Sequence, residues 1–153
     1  MFIKPMNKRG VTLIELVVVF VIIAIGAALL VPNIGSWLPN YRLRSATRDI
    51  VSTMRTAQMK AVSTNTQYRV DFNVGGNNYV LRYQTTAGFV NEGVTQSLPT
   101  GVTFIGAVFS GGVSWAVFNT DSRSSAGTVT LQNTKGTQRN ITLTSATGRV
   151  RID

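Results

Sequence analysis

Glu15 has the most unusual surroundings of any charged residue in the chain. It lies five positions after Gly10 in KRGVTLIEL (8–16), at the start of an apolar run. A carboxylate in hydrocarbon protonates or finds a cation, so an acid held there is a functional candidate. A second candidate closes the chain: GRVRID (148–153) places Arg149 and Arg151 two residues apart. On a strand they share one face, with Val150 and Ile152 facing the core. Two guanidiniums about 6.6 Å apart suit adjacent phosphates, although ordinary strand surface charges or contacts to a neighbouring subunit would read the same way. The usual catalytic types are missing. The chain has no Cys and no His, which removes disulfides, thiolate and imidazole metal ligands, Cys nucleophiles and His-based triads. The acids Asp49, Asp71, Glu92, Asp121 and Asp153 are scattered and form no paired-carboxylate motif. The sequence therefore predicts no enzyme, no metal site and no cofactor.

At 153 residues the chain holds one domain plus an N-terminal segment, and 44% hydrophobic residues allow a substantial core. Lys and Arg number 15 against 6 acids, a net charge of +9, and a bias of that size favours anionic partners.

Residues 1–10, MFIKPMNKRG, are polar and basic, whereas LVVVFVIIAIGAALLV (16–31) is almost wholly aliphatic. Val11 to Val31 would make a helix about 31 Å long, the thickness of a bilayer core. Lys4, Lys8 and Arg9 precede it, so the N-terminus should stay cytoplasmic and the remainder be exported. A secretory signal would be cut after the apolar run, within GAALLVPNIG. The alternative is a cut before it, after Gly10, leaving the mature chain with an apolar tail.

The stretch RGVTLIEL resembles the type III signal of type IV pilins and type II secretion pseudopilins. That resemblance implies cleavage after Gly10 by a prepilin peptidase and methylation of the new amine on Val11. The family's first mature residue is usually Phe, and here it is Val. The glutamate falls fifth in the mature chain, as Glu15 does. In the family it pairs with the N-terminal amine of a neighbour and sets subunit register, a specificity role for a buried ion pair. Snorkelling of Glu15 to the head groups is the plainer alternative.

Pro32 closes the aliphatic run, and Pro39 is expected to add a second kink or break. Residues 40–63 then carry Leu43, Ala46, Ile50, Met54, Ala57 and Ala61 at three- and four-residue steps, the stripe of an amphipathic helix. Arg44, Arg48 and Arg55 cluster within about 40° of one another, away from that stripe. They read as a solvated face, or else as an anion-binding one. After residue 64 the period becomes two. Strands are predicted at 68–74, 78–85, 101–109, 113–119, 127–133, 139–145 and 148–153, with hairpin turns at GGNN (75–78) and SGG (110–112). Residues 86–101 read as a longer loop with room for a short strand. The expected fold is α+β: a long N-terminal helix whose exported half packs on one or two antiparallel sheets. The expected segments are a leader (1–10), a transmembrane and assembly helix (11–32), its amphipathic continuation (33–63) and a β-rich domain (64–153).

The exported part is similar to one branch, the FimT/FimU-type minor pilins and GspH-type minor pseudopilins, from its helix through to the terminal GRVR. This resemblance implies a low-copy subunit at a filament tip, partnered by other pilins or pseudopilins and by prepilin peptidase. It would reside in the inner membrane before assembly and in the pilus or pseudopilus afterwards. Some FimT-like pilins bind DNA through a C-terminal G-R-x-R element, which Gly148-Arg149-Val150-Arg151 matches. Beyond Val31 the basic residues number 12 against 5 acids, a balance that attracts a polyanion. Double-stranded DNA is thus a candidate partner, with Arg149 and Arg151 first and Arg139 and Lys135 as helpers. The alternative is an H-type minor pseudopilin of a type II secretion system with no nucleic-acid role.

Overall fold

The computed structural model describes the backbone of residues 11–153, and the side chains of all of these except 29–34 and 36. The leader with Gly10 lies outside the described residues, as does the side chain of Pro32. Among the described residues one helix, α1 (Leu13–Ser63), precedes nine strands: β1 (Tyr68–Asn73), β2 (Asn78–Thr85), β3 (Gly88–Asn91), β4 (Gln96–Ser97), β5 (Val102–Phe109), β6 (Trp115–Phe118), β7 (Gly127–Asn133), β8 (Gln138–Leu143) and β9 (Val150–Ile152). The helical assignment runs through Pro32 and Pro39, so the break anticipated at Pro39 is absent. The chain divides into two compact units, one ending at Trp37 and the other spanning Leu38–Asp153.

In the first unit Thr12 caps α1. Its carbonyl accepts from the Leu16 amide at 3.2 Å and its Oγ1 from the Glu15 amide at 3.3 Å. Thr12-x-x-Glu15 thereby forms half of a capping box, and Glu15 lies in the first turn, where the helix dipole favours an acid. The side chains from Leu13 to Ile23 are exposed all round the helix. A helix apolar on every side has no single face to pack and calls for a wholly apolar environment.

In the second unit the predicted stripe is the core. Leu43, Ala46, Ile50, Met54, Ala57 and Ala61 are all buried. They form one cluster with Tyr68, Val70 and Phe72 of β1 and with Val129, Leu131, Ile141 and Leu143 of β7 and β8. Two antiparallel sheets supply those strands. The first has the order β3-β2-β1-β6, with β4 also pairing β2. The second has the order β5-β7-β8-β9. The anticipated loop at 86–101 thus contains β3 and β4. SGG does form a turn, with Phe109 bridging Val113, but it is no hairpin within one sheet: β5 lies in the second sheet and β6 in the first.

β5 carries a bulge. Phe104 pairs with Leu131 and Gly106 with Thr130, leaving Ile105 as the extra residue. This switches the alternation, so that Val102 and Phe104 before the bulge and Ala107 and Phe109 after it are all buried. Asparagines tie the layers together. Asn77, in the β1–β2 turn, accepts from the Phe104 amide at 3.0 Å. Buried Asn133 donates to Asn40 Oδ1 at 2.8 Å and accepts from the amides of Lys135 and Thr137. On the outer face of the first sheet, Asp71 lies between Arg69 and Arg82 at 2.8 and 3.1 Å, and the Phe89 ring covers Arg69 at 4.1 Å. The 2.8 Å contact is an ion pair without hydrogen-bond alignment. Lys60 pairs with Glu92, which fastens the end of β3 to the last turn of α1 and raises the lysine's pKa through their hydrogen bond.

Candidate functional site

β9 is the last strand of its sheet, so one of its edges is unpaired among the described residues. Its register sets Val150 against Leu143, Arg151 against Thr142 and Ile152 against Ile141. The Arg149 carbonyl accepts from the Thr144 amide at 3.1 Å, and Asp153 exchanges both backbone bonds with Asn140 at 2.9 and 3.2 Å. Antiparallel pairing alternates, so residues 149, 151 and 153 bond to β8 while the backbone groups of Val150 and Ile152 face the open edge.

Gly148 places the strand. Its φ is +59°, a conformation side chains rarely adopt, and a Cβ there would stand 2.7 Å from the Ser122 carbonyl oxygen and 2.3 Å from Gln58 Nε2. Gln58 explains the crowding. Its amide donates to the carbonyls of Thr147 and Ser122, at 3.2 and 3.3 Å, pinning the turn before β9 to the helix. Sequence reading passed over Gln58, because a glutamine one position beyond a core alanine carries no motif.

The two arginines emerge exposed, as expected, with Val150 buried between them. Ile152 departs from expectation: it is 36% exposed and lines the surface beside Met59, because an edge strand has no neighbour to cover its last residue. Arg151 pairs with Asp153 at 2.9 Å. The guanidinium of Arg149 has no ion-pair partner among the described residues. The anticipated helpers do not join them. Arg139 is half-buried and shares the strand parity of Ile141 and Leu143, whose side chains are in the core, so it lies on the opposite sheet face from Arg151. Lys135 sits in the β7–β8 turn, beyond the end of β8 that faces away from Val150.

What joins Arg149 is the helix. An open groove of about 520 Å³ is lined by Arg55, Gln58 and Met59 of α1 and by Arg149, Arg151 and Ile152. Arg55 of the helix and the terminal strand, separate features of the sequence, border one surface. Among the described residues no cluster of three or more potential metal ligands occurs.

Comparison with known proteins fixes the family. The family described as type II transport protein GspH matches residues 46–148, and the prokaryotic N-terminal methylation motif matches residues 5–31. The chain belongs to the GspH family. The fold is similar to that of the minor pseudopilin EpsH of the Vibrio cholerae type 2 secretion system. One EpsH structure aligns over 73% of this chain and 96% of its own, at 10% identity and a TM-score of 0.63. The type IV minor pilin FimU of Pseudomonas aeruginosa aligns over 74% of this chain and 90% of its own, at 14% identity and a TM-score of 0.58. No curated protein sequence matches. This GspH-family chain is a pilin-like subunit of the minor pilin or pseudopilin kind, built as an N-terminal helix with antiparallel sheets.

Gly148→Ala should lower stability by about 1–3 kcal/mol through its left-handed backbone alone. Chemical denaturation of the purified protein measures this, and an unchanged midpoint would show that β9 is not held through Gly148.

Proposed function

We propose that the chain is a minor pilin acting at the tip of a type IV pilus and that its C-terminal strand holds double-stranded DNA. The observation that carries the DNA reading is the pair Arg149 and Arg151, both exposed on an edge strand beside a groove whose lining contains no acid. Guanidiniums bind phosphate oxygens in bidentate fashion, and the sequence carries no base-reading motif, so binding should be independent of sequence. The second reading, an H-type minor pseudopilin, is favoured by the family description and by the fold likeness to EpsH. Deleting the gene and scoring DNA uptake and protein secretion in one strain separates the two. Loss of uptake with secretion intact is expected, and the reverse result would establish the secretion reading.

In this proposal prepilin peptidase cuts after Gly10, the amine of Val11 is methylated, and the apolar part of α1 holds the subunit in the inner membrane until assembly. The all-round exposure of apolar side chains from Leu13 to Ile23 supports that reading. Among the described residues no helix is long and apolar enough to cross a membrane. The sequence run of Val11–Val31 extends into residues whose side chains are not described. Glu15 would then pair with the amine of a neighbouring subunit. Intact mass of the protein from its host should correspond to a chain beginning at Val11 plus one methyl group. Glu15→Ala should be processed and inserted normally yet be missing from sheared filaments. A full-length mass would refute the processing, and wild-type recovery of the variant in filaments would refute the register role.

With two to four phosphates contacted, the log–log dependence of DNA affinity on salt should have a slope of about −2 to −4 for the protein in detergent micelles. Replacing Arg149 and Arg151 by Gln should flatten it by about two. An unchanged slope would remove β9 from the interface.

A further inference from the structure

We infer that Arg48 and Arg55 of α1 belong to the same phosphate-binding surface as Arg149, so that a nucleic-acid backbone lies in a groove with one wall from the helix and one from β9. The inference rests on the DNA reading above and adds residues to it that lie about a hundred positions away in sequence. Arg48, Arg55, Met59 and Ile152 line a second depression of about 320 Å³. It shares Arg55, Met59 and Ile152 with the larger groove beside Arg149, so the two are continuous. Neither lining includes an acid.

Charge accounting points to the helix. Arg151 already has a carboxylate, Asp153, at 2.9 Å. Arg48, Arg55 and Arg149 have none within ion-pair distance among the described residues. They are therefore the cations best able to gain from an incoming phosphate, since each binds without first giving up a partner. Helix geometry keeps them together. Seven residues separate Arg48 from Arg55, so they project from nearly the same side of α1 about 10.5 Å apart along its axis. The buried stripe fixes the rotation of α1 and hence the direction of both side chains. Between the walls lie the exposed Met59 and Ile152, apolar contacts suited to the sugar faces of a backbone. Together the two linings hold four guanidiniums, of Arg48, Arg55, Arg149 and Arg151, and no carboxylate, a concentration of one sign of charge that favours a polyanion.

The test uses the full-length protein in detergent micelles and a short mixed-sequence DNA duplex titrated at several salt concentrations. Arg48→Gln with Arg55→Gln should weaken binding at low salt and flatten the log–log slope by about 1.8, two contacts at about 0.9 each. Lys135→Gln removes one charge from the β7–β8 turn and should leave the slope unchanged. Arg48→Lys with Arg55→Lys should restore most of the slope. Because both side chains are exposed, the thermal melt of each variant should match the parent, which separates lost contacts from lost folding. Parent-like binding and slope in the Arg48→Gln, Arg55→Gln protein overturns this inference alone and leaves the DNA reading intact. The same holds if that protein binds DNA normally but is missing from filaments, which would assign the groove to a neighbouring subunit. A loss per charge as large for Lys135→Gln reveals diffuse attraction and also overturns it. No binding by the parent at low salt defeats the DNA reading itself, and this inference with it.

Discussion

Half of α1 is stable only because two sheets cover it. An isolated amphipathic helix draws most of its stability from tertiary packing, and here one face from Leu43 to Ala61 is removed from water. The small Ala46, Ala57 and Ala61 and the larger Leu43, Ile50 and Met54 are all buried in the one cluster. Fully burying each larger side chain contributes about 1.5–3 kcal/mol, against a typical net stability of about 5–15 kcal/mol for a whole domain. Everything on the far side of the helix follows from this seam. Gln58 stands one residue past Ala57 and so reaches the turn before β9. Arg48 and Arg55 stand clear of the buried face and so border the open strand.

The same helix carries two surface patterns. Its first turns are apolar in every direction, whereas the half after Leu38 has a single apolar stripe. Glu15 is the exception in the first part, and its surroundings give it a local role as well as the proposed intersubunit one. Thr12 caps the helix with Glu15 at the third position, where an acid is favoured by the dipole. The threonine and glutamate of the methylation motif are therefore also a helix start, a role that sequence analysis had not given that glutamate.

Local pattern was legible wherever it had a period. The stripe on α1 was correct at all six positions, and β2 and β7 fall on their expected residues, because alternation and three-four spacing are properties of neighbouring residues. Long-range partnership was not legible. Nothing in SGG says that the next strand crosses to the other sheet, since a turn's sequence encodes reversal and not destination. A break was one of the alternatives expected at Pro39, yet a helix this long outlasts a lost hydrogen bond when packing sustains it downstream. At the candidate site, the exposure of Arg149 and Arg151 followed from their spacing. Their association with Arg55 and Gln58 did not, because it exists only after a strand at the end of the chain has been laid beside a helix near its beginning.

The bulge at Ile105 gives β5 a grammar of count rather than of letter. Since its job is to occupy one place in the ladder and so turn odd positions into inward ones, the exposed side chain itself has little to specify. Drift at this codon is cheap, whereas loss of the codon would rotate Ala107 and Phe109 out of the interior together. Two lineages could therefore diverge freely in what stands at 105 while remaining bound to the same strand length.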